Sequence, residues 1–118
     1  MTFALGPALL FCPADRPERF RGALDKADAV ILDLEDAVLP AAKAGARGNL
    51  IDADIDPDRV VVRVNAPGTE AFVSDLATLS QTDFRTVMVA KTESPESLAP
   101  FDPRFSLSQT GLVEDARE

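Results

Sequence analysis

The amino-acid sequence predicts an α/β fold built on a parallel sheet. Four short apolar or β-branched segments alternate with four segments of helical spacing, and this alternation favours parallel strands joined by right-handed helical crossovers. The second apolar segment, residues 29–32, is apolar on both faces, which is typical of a strand covered on both sides. It leads into three carboxylates, Asp33, Glu35 and Asp36. Parallel sheets carry their functional groups at this carboxyl end of the strands.

Local signals place the elements along the chain. Asp15 is a candidate N-cap for the first helix, Pro17 suits its first helical position, and Thr69 can cap the third helix. Lys43 and Arg47, four residues apart, lie in the alanine-rich second helix. Strands are predicted at residues 8–12, 29–33, 60–65 and 86–90, and helices at residues 18–26, 41–50 and 69–79 and from residue 94.

The pattern weakens after about residue 100. Residues 112–114 are a candidate end for a fifth strand, although Ser106, Ser108 and Gln109 are unusual in a buried strand. Residues 1–118 therefore read as one unit of four to five strand–helix repeats, with residues 100–118 as an atypical tail.

Composition restricts the chemistry. The net charge of -8 disfavours nucleic acid or an anionic membrane as the main partner, and no segment resembles a signal peptide or a membrane span. The single cysteine, Cys12, cannot form an intrachain disulfide and favours a reducing, cytoplasmic compartment. The absence of histidine excludes a histidine base or ligand. A metal here would be bound by oxygen, with Mg²⁺ as the leading candidate.

Charged residues gather at the predicted strand ends, and Arg63 is the most informative of them. It interrupts an apolar strand, and a buried guanidinium is costly unless it is paired. It therefore pairs with a carboxylate such as Asp33 or Glu35, or it faces an anionic ligand, and both can hold together. Arg16 and Lys91 lie at other strand ends, where they could meet an anion or simply be solvated.

The role of the acids is open on this evidence alone. In an extended segment Asp33 and Glu35 would share one face, with Asp36 on the other. They could bind a metal, support Arg63, or begin a solvated loop. Asp33 could also be the phosphoacceptor of a receiver-like α/β module.

Four sequence blocks in the same order resemble the citrate lyase β-subunit family, within the wider HpcH/HpaI aldolase group. The similarity runs from Leu9 to about Leu98, with a shorter match at residues 112–117. The blocks are L-L-F-C-P-A-D-R-P-E-R-F at residues 9–20, V-I-L-D-L-E-D-A-V at 30–38 with Lys43 and Ala46-Arg47 following it, V-V-R-V-N at 61–65, and V-M-V-A-K at 87–91.

The resemblance implies a (β/α)₈ barrel, usually oligomeric, and Mg²⁺-dependent cleavage or formation of a carbon–carbon bond in an acyl thioester. Citryl, malyl or citramalyl thioesters on coenzyme A or an acyl carrier would give a 2-oxo acid and an acetyl thioester. By position, Arg63 would bind the 2-oxo acid carboxylate. Lys91, at the end of the fourth block, is a further candidate for substrate binding. Glu35 and Asp36 would hold the metal's waters or orient Arg63. Arg16 would contact the thioester carrier, and Glu114 would be a direct metal ligand.

The chain also departs from the family pattern. The family takes a second metal-binding aspartate from a strand later than residue 118, has a proline where Ala90 stands, and approaches its fifth strand with a sequence unlike residues 101–111. A complete eight-stranded barrel usually needs about 200 residues or more. We therefore expect a partial barrel that has little or no lyase activity alone, or a non-catalytic fragment that associates with partner chains.

Overall fold

The described part of the chain forms a five-stranded, all-parallel sheet in the order β1-β2-β3-β4-β5, within the four to five parallel strands that the sequence predicted. The structure is a computed structural model that describes residues 8–89 and the backbone of 106–109. The strands are β1 Leu9–Pro13, β2 Ala29–Asp33, β3 Val60–Val64, β4 Thr86–Val89 and β5 Ser106–Gln109, and the helices are α1 Phe20–Lys26, α2 Lys43–Asp52 and α3 Glu70–Leu79. Within these ranges no helix combines the length and apolar character needed to cross a bilayer.

The sheet buries apolar side chains on both faces. On the helix side, alternate strand residues such as Leu32 and Val62 pack with α2 and α3 residues such as Leu50 and Leu79, all at most 1% exposed. On the opposite face Ile31, Val61 and Met88 form a separate, fully buried cluster. This two-sided burial explains the near-continuous apolar runs of the strands.

The register of the strands brings Asp33 and Arg63 side by side. Successive residues of β2 and β3 pair from Val30 with Val60 up to Asp33 with Arg63. The backbone N–H of Leu34 donates to the carbonyl of Arg63 at 2.9 Å, which continues the pairing one step past β2. The two charged side chains therefore lie on the same face of the sheet at its carboxyl edge.

The helix boundaries differ from the predictions at two starts. Asp15 is not the cap of the first helical segment, which begins as a 3₁₀ turn, Pro17–Arg19, with Arg16 at the cap position and no side-chain cap bond. Pro17 occupies an initial helical position, as predicted. The second helix is likewise preceded by a 3₁₀ turn, so α2 begins at Lys43 and runs to Asp52. Proline at the start of each turn fixes φ near a value that 3₁₀ and α-helical turns share, so it suits the first residue of either.

Other side chains tie the connections together. The Thr69 hydroxyl accepts from the backbone N–H of Phe72 at 3.1 Å, which confirms the predicted cap of α3. Arg59 donates to the carbonyls of Leu24, Ala27 and Asp28 at 2.7, 2.8 and 3.1 Å. Those carbonyls belong to the end of α1 and the turn after it, where no helical partner is available.

A fifth strand exists, and its described part is Ser106–Gln109, parallel to β4. Ser106, Ser108 and Gln109 are polar, which is unusual in a buried strand. The hydrogen bonds between strands come from the backbone, however, and do not require apolar side chains. The predicted strand end at residues 112–114 and the predicted helix from residue 94 lie outside the described residues. So does the predicted atypical tail, residues 100–118, except for residues 106–109.

Candidate functional site at the carboxyl edge of the sheet

A buried ion pair between Asp33 and Arg63 is the centre of the candidate site. Nε of Arg63 donates to Oδ1 of Asp33 at 3.0 Å, and Nη2 donates to Oδ2 at 2.9 Å. The side chains of Asp33 and Arg63 are only 2% and 13% exposed. This two-pronged geometry fixes both the position and the plane of the guanidinium.

Asp33 also shapes the loop that follows β2. Its Oδ1 accepts from the backbone N–H of Glu35 at 2.7 Å, and its Oδ2 accepts from the N–H of Ala37 at 3.1 Å. With the two bonds from Arg63, each carboxylate oxygen accepts two hydrogen bonds, which uses the acceptor capacity of an ionised carboxylate. Asp33 therefore serves as the structural anchor of the site and has no lone pair left for a metal.

The loop brings all three acids towards one cation. Oε1 of Glu35 and Oδ2 of Asp36 lie 3.3 and 3.8 Å from Nη2 of Arg63. An extended segment would have placed Asp36 on the opposite face, but the N–H of Val38 donates to the carbonyl of Glu35 and the chain turns. The side chain of Glu35 is 11% exposed and that of Asp36 is 69% exposed. Glu35 thus lines the interior of the site and Asp36 its solvent side.

The electrostatics keep Arg63 charged. Burial by itself would lower the pKa of Arg63, but the hydrogen bonds and charge of Asp33, with the charges of Glu35 and Asp36, outweigh burial and raise that pKa. The ring of Phe11 lies over the guanidinium, with 5.4 Å between Cζ and the ring centroid. Phe11 is 52% exposed and gives this end of the site an apolar wall.

A second polar cluster lies behind the acids, and the sequence had placed one of its members, Asn65, at this edge at the end of the third strand. Nζ of Lys43 donates to the carbonyls of Leu34 and Glu35, each at 2.8 Å, and to Oδ1 of Asn65 at 3.0 Å. Asn65 Nδ2 donates to Oδ2 of Asp75 at 2.7 Å, and the Asn65 backbone N–H donates to the same oxygen at 2.8 Å. Because lysine only donates, the side-chain oxygen of Asn65 must face Lys43.

Arg47 completes this second cluster. Its Nε donates to Oδ1 of Asp75 at 2.8 Å, and Asp75 is fully buried. One signal for Asp75 was present in the sequence, since it lies three residues after Phe72 and four before Leu79, on the apolar face of α3. A carboxylate on a buried helical face must find a partner inside the fold.

The other predicted site residues are not brought into this cluster by the described contacts. Arg16 is exposed in the turn after β1, and no hydrogen bond or ion pair among the described residues links it to the three acids. Lys91 and Glu114 lie outside the described residues. The described part of the chain also contains no group of three histidine, cysteine or acidic side chains arranged to bind a metal ion.

Comparison with known proteins places this edge of the sheet in a family context. Residues 8–110 match the family model described as HpcH/HpaI aldolase/citrate lyase. A citrate lyase subunit beta-like protein of Mycobacterium tuberculosis is 51% identical over 114 residues, which cover 97% of this chain and 41% of that protein. The human mitochondrial citramalyl-CoA lyase is 31% identical over 111 residues, covering 88% of this chain and 33% of that protein. The chain thus spans less than half the length of these relatives.

Solved structures show the same architecture. The citrate lyase beta subunit of M. tuberculosis, complexed with oxaloacetate and magnesium, superposes with a TM-score of 0.86 at 48% identity. The match covers 91% of this chain and 48% of that one. The M. tuberculosis protein CitE in complex with magnesium, acetoacetate and coenzyme A gives a TM-score of 0.87 over 91% of this chain and 40% of that one.

Proposed function

The chain belongs to the HpcH/HpaI aldolase/citrate lyase family, and from that premise we propose that it supplies the carboxylate-binding part of a Mg²⁺-dependent carbon–carbon lyase. The reaction cleaves a citryl, malyl or citramalyl thioester of coenzyme A or an acyl carrier into a 2-oxo acid and an acetyl thioester. Relatives that carry the names L-malyl-CoA/beta-methylmalyl-CoA lyase and citramalyl-CoA lyase support this substrate class.

The geometry of Arg63 carries the proposal. The described contacts to its guanidinium use Nε and Nη2, so Nη1 presents the donors for an incoming carboxylate. Asp33 holds the guanidinium plane before the ligand arrives, which removes part of the ordering cost of binding. Arg63 would then fix the carboxylate of the 2-oxo acid product and balance its charge as the carbon–carbon bond breaks.

The charge balance of the site fits a divalent cation. Three carboxylates surround Arg63, and with Lys43 counted the cluster is still net negative. An anionic 2-oxo acid would be repelled unless a cation were bound beside it. Hard carboxylate oxygens are the donors that Mg²⁺ prefers, and the ion usually keeps several waters and uses one or two carboxylates.

Within this proposal the acids have separate roles. Glu35 and Asp36 would hold the waters of Mg²⁺, whereas Asp33 is committed to Arg63 and its own loop. Glu114 would be a direct ligand. When bound, Mg²⁺ supplies Lewis-acid stabilisation to the carboxylate and keto oxygens of the 2-oxo acid. Arg16 would contact the thioester carrier, and Lys91 would contact the substrate.

The 118-residue chain alone is proposed to have little or no turnover, because the site needs groups beyond those it contributes. The exposed side chains of Leu10 and Phe11 on β1, 40% and 52% exposed, support the alternative that the chain associates with partner chains. A homo-oligomer in the cytoplasm belongs to the same proposal.

A chimera tests the function. Residues 8–110 replace the matched segment of the M. tuberculosis citrate lyase subunit beta-like protein, and cleavage of citryl-, malyl- and citramalyl-CoA is measured with and without Mg²⁺. We expect Mg²⁺-dependent release of a 2-oxo acid, and R63M should lower kcat/KM by about 100-fold or more, as for loss of a charge-stabilising donor. R21M, on an arginine 72% exposed and outside the site, is the matched control.

Two results would contradict this scheme. A folded chimera that binds Mg²⁺ but cleaves none of the three thioesters would refute the proposed activity. Robust Mg²⁺-dependent turnover by the 118-residue chain in isolation would refute the proposed dependence on other parts of a barrel.

A further inference from the structure

The second polar cluster connects two helices to the loop that carries the acids. We call residues 34–37 the acid loop. Lys43 is the first residue of α2, Asp75 lies in α3, and Asn65 follows directly after β3. Among the described residues, the acid loop also contacts Arg63, through the carboxylates of Glu35 and Asp36. The cluster is therefore placed to set the loop's position from behind.

Lys43 is fully committed to this task. Its three ammonium protons match three acceptors at 2.8, 2.8 and 3.0 Å, and two of those acceptors are the carbonyls of Leu34 and Glu35 in the acid loop. The carbonyl of Leu34 also accepts from Nδ2 of Asn65 at 3.0 Å. The backbone of the loop is thus held at two successive carbonyls by one cation.

The support continues deeper into the fold. Asp75 fixes Asn65 through both its side chain and its backbone N–H, and Arg47 neutralises Asp75. Arg47 lies one turn after Lys43 on α2, so both cations of the helix serve the same cluster. A buried polar network in which each described group has a partner is rigid, and losing one member leaves the others unsatisfied.

We propose that Lys43 is a positioning residue. Through the carbonyls of Leu34 and Glu35 it holds the acid loop so that Glu35, together with Asp33 at the end of β2, can orient Arg63. This inference rests on the proposed function for its catalytic meaning, but its geometric content can be tested without any ligand. It assigns to Asn65 the role of third acceptor for the Lys43 ammonium group, through Oδ1. Asp75 and Arg47 then keep that acceptor in place. None of these three side chains needs to contact substrate.

The test uses the full 118-residue chain and the variant K43C. Nuclear magnetic resonance reports the exchange of the Arg63 Nε–H proton with water and the backbone amide shifts of Glu35 and Ala37, both of which donate to Asp33. We expect K43C to accelerate Nε–H exchange about tenfold or more, a factor that corresponds to about 1.4 kcal/mol. The amide signals of Glu35 and Ala37 should shift with it.

Conservative rescue separates positioning from general damage to the fold. Alkylation of K43C with 2-bromoethylamine restores an ammonium group on a side chain of nearly the same length, and the buried Cys12, only 3% exposed, is shielded from the reagent. Rescue should return Nε–H exchange to the wild-type rate. K26C, at an exposed lysine of α1, is the matched control and should change neither signal.

The wild-type chain provides a second measurement if K43C does not fold. The Lys43 ammonium should give a slowly exchanging signal with scalar couplings to the carbonyl carbons of Leu34 and Glu35. Absence of those couplings, or a folded K43C with wild-type Nε–H exchange, would overturn the inference. A third outcome separates the two proposals. If the wild-type chain shows the couplings but the chimera binds no pyruvate in the presence of Mg²⁺, the proposed function is refuted and the positioning role stands.

Discussion

Replacing Arg63 by methionine measures how strongly the site is built into the fold. The substitution keeps most of the aliphatic stem and removes the guanidinium, which leaves Asp33, 2% exposed, with its charge and only two of its four hydrogen bonds. Breaking a buried ion pair from one side costs about 3–5 kcal/mol. Because two backbone N–H groups still hold Asp33, we expect the lower end, about 3 kcal/mol, which is roughly 10 °C in Tm.

A double-mutant cycle isolates the pair. D33N, R63M and the double variant are unfolded with urea and followed by far-ultraviolet circular dichroism, since the sequence contains no tryptophan or tyrosine for fluorescence. The coupling free energy should be about 2 kcal/mol, within the range for residues in direct contact. The Arg21–Asp54 pair, 3.7 Å apart with both side chains exposed, is the control and should show no measurable coupling.

The pH dependence of R63M gives an independent check. The pKa of Arg63 is raised in the folded chain, so its contribution is complete at every pH below the unfolded value and is lost only as pH rises through the folded value. The stability difference between wild type and R63M should therefore stay constant from pH 7 to about 10. In the double-mutant cycle, a coupling free energy between Asp33 and Arg63 below about 0.5 kcal/mol, typical of an exposed pair, would refute the argument that burial makes this pair strong.

Three further outcomes follow from contacts elsewhere. F11L should cost about 0.5–1 kcal/mol in urea unfolding through loss of the ring contact with Arg63, and unchanged stability would contradict that contact. T69A should cost about 1 kcal/mol because Phe72 N–H loses its cap, whereas the cap would be unimportant if the loss were below about 0.3 kcal/mol. Burial raises the pKa of the Cys12 thiol; the charge of Arg19 opposes this shift, and those of Glu18 and Asp15 add to it. The contribution of the neutral thiol to the stability of the fold is therefore complete below about pH 8.5 and falls above it. The stability of wild type relative to C12A should therefore decline between about pH 8.5 and 10, and a flat difference would show that the thiol ionises equally in both states.

Much of the fold was accessible from local patterns because each element carries its own signal. Residues 29–32 are apolar on both faces, and burial on both sides of a parallel strand is what the structure shows. Arg63 was identifiable because a guanidinium inside an apolar strand needs a partner, and its pairing with Asp33 and Glu35 is confirmed. The exact helix starts were less accessible, since proline suits a 3₁₀ turn and an α-helix equally well at these positions.

Most of the second polar cluster could not be predicted from local patterns, although Asp75, on the apolar face of α3, carried a signal of its own. Lys43 and Arg47 have the spacing of a solvated helix face, and nothing in that spacing points to Asn65 or Asp75, which lie 22 and 28 residues further along. The convergence depends on how α2 and α3 pack beside each other at the sheet edge. Such long-range contacts become visible only when the elements are assembled in three dimensions.

The Asp33–Arg63 pair also bears on how β2 and β3 find each other during folding. In a sheet with one wet face, alternating polarity specifies register, because a slip by one residue would expose the apolar face. Here β2 and β3 are apolar on both faces apart from Asp33 and Arg63, and the valine, isoleucine and leucine side chains alone would tolerate a shifted pairing. A slip by one residue would instead send Arg63 and Asp33 to opposite faces and leave both charges buried alone. A buried polar contact can fix the alignment of elements that hydrophobicity leaves ambiguous. Arg63, which is assigned to substrate binding, and its partner Asp33 would therefore also fix the register of β2 against β3.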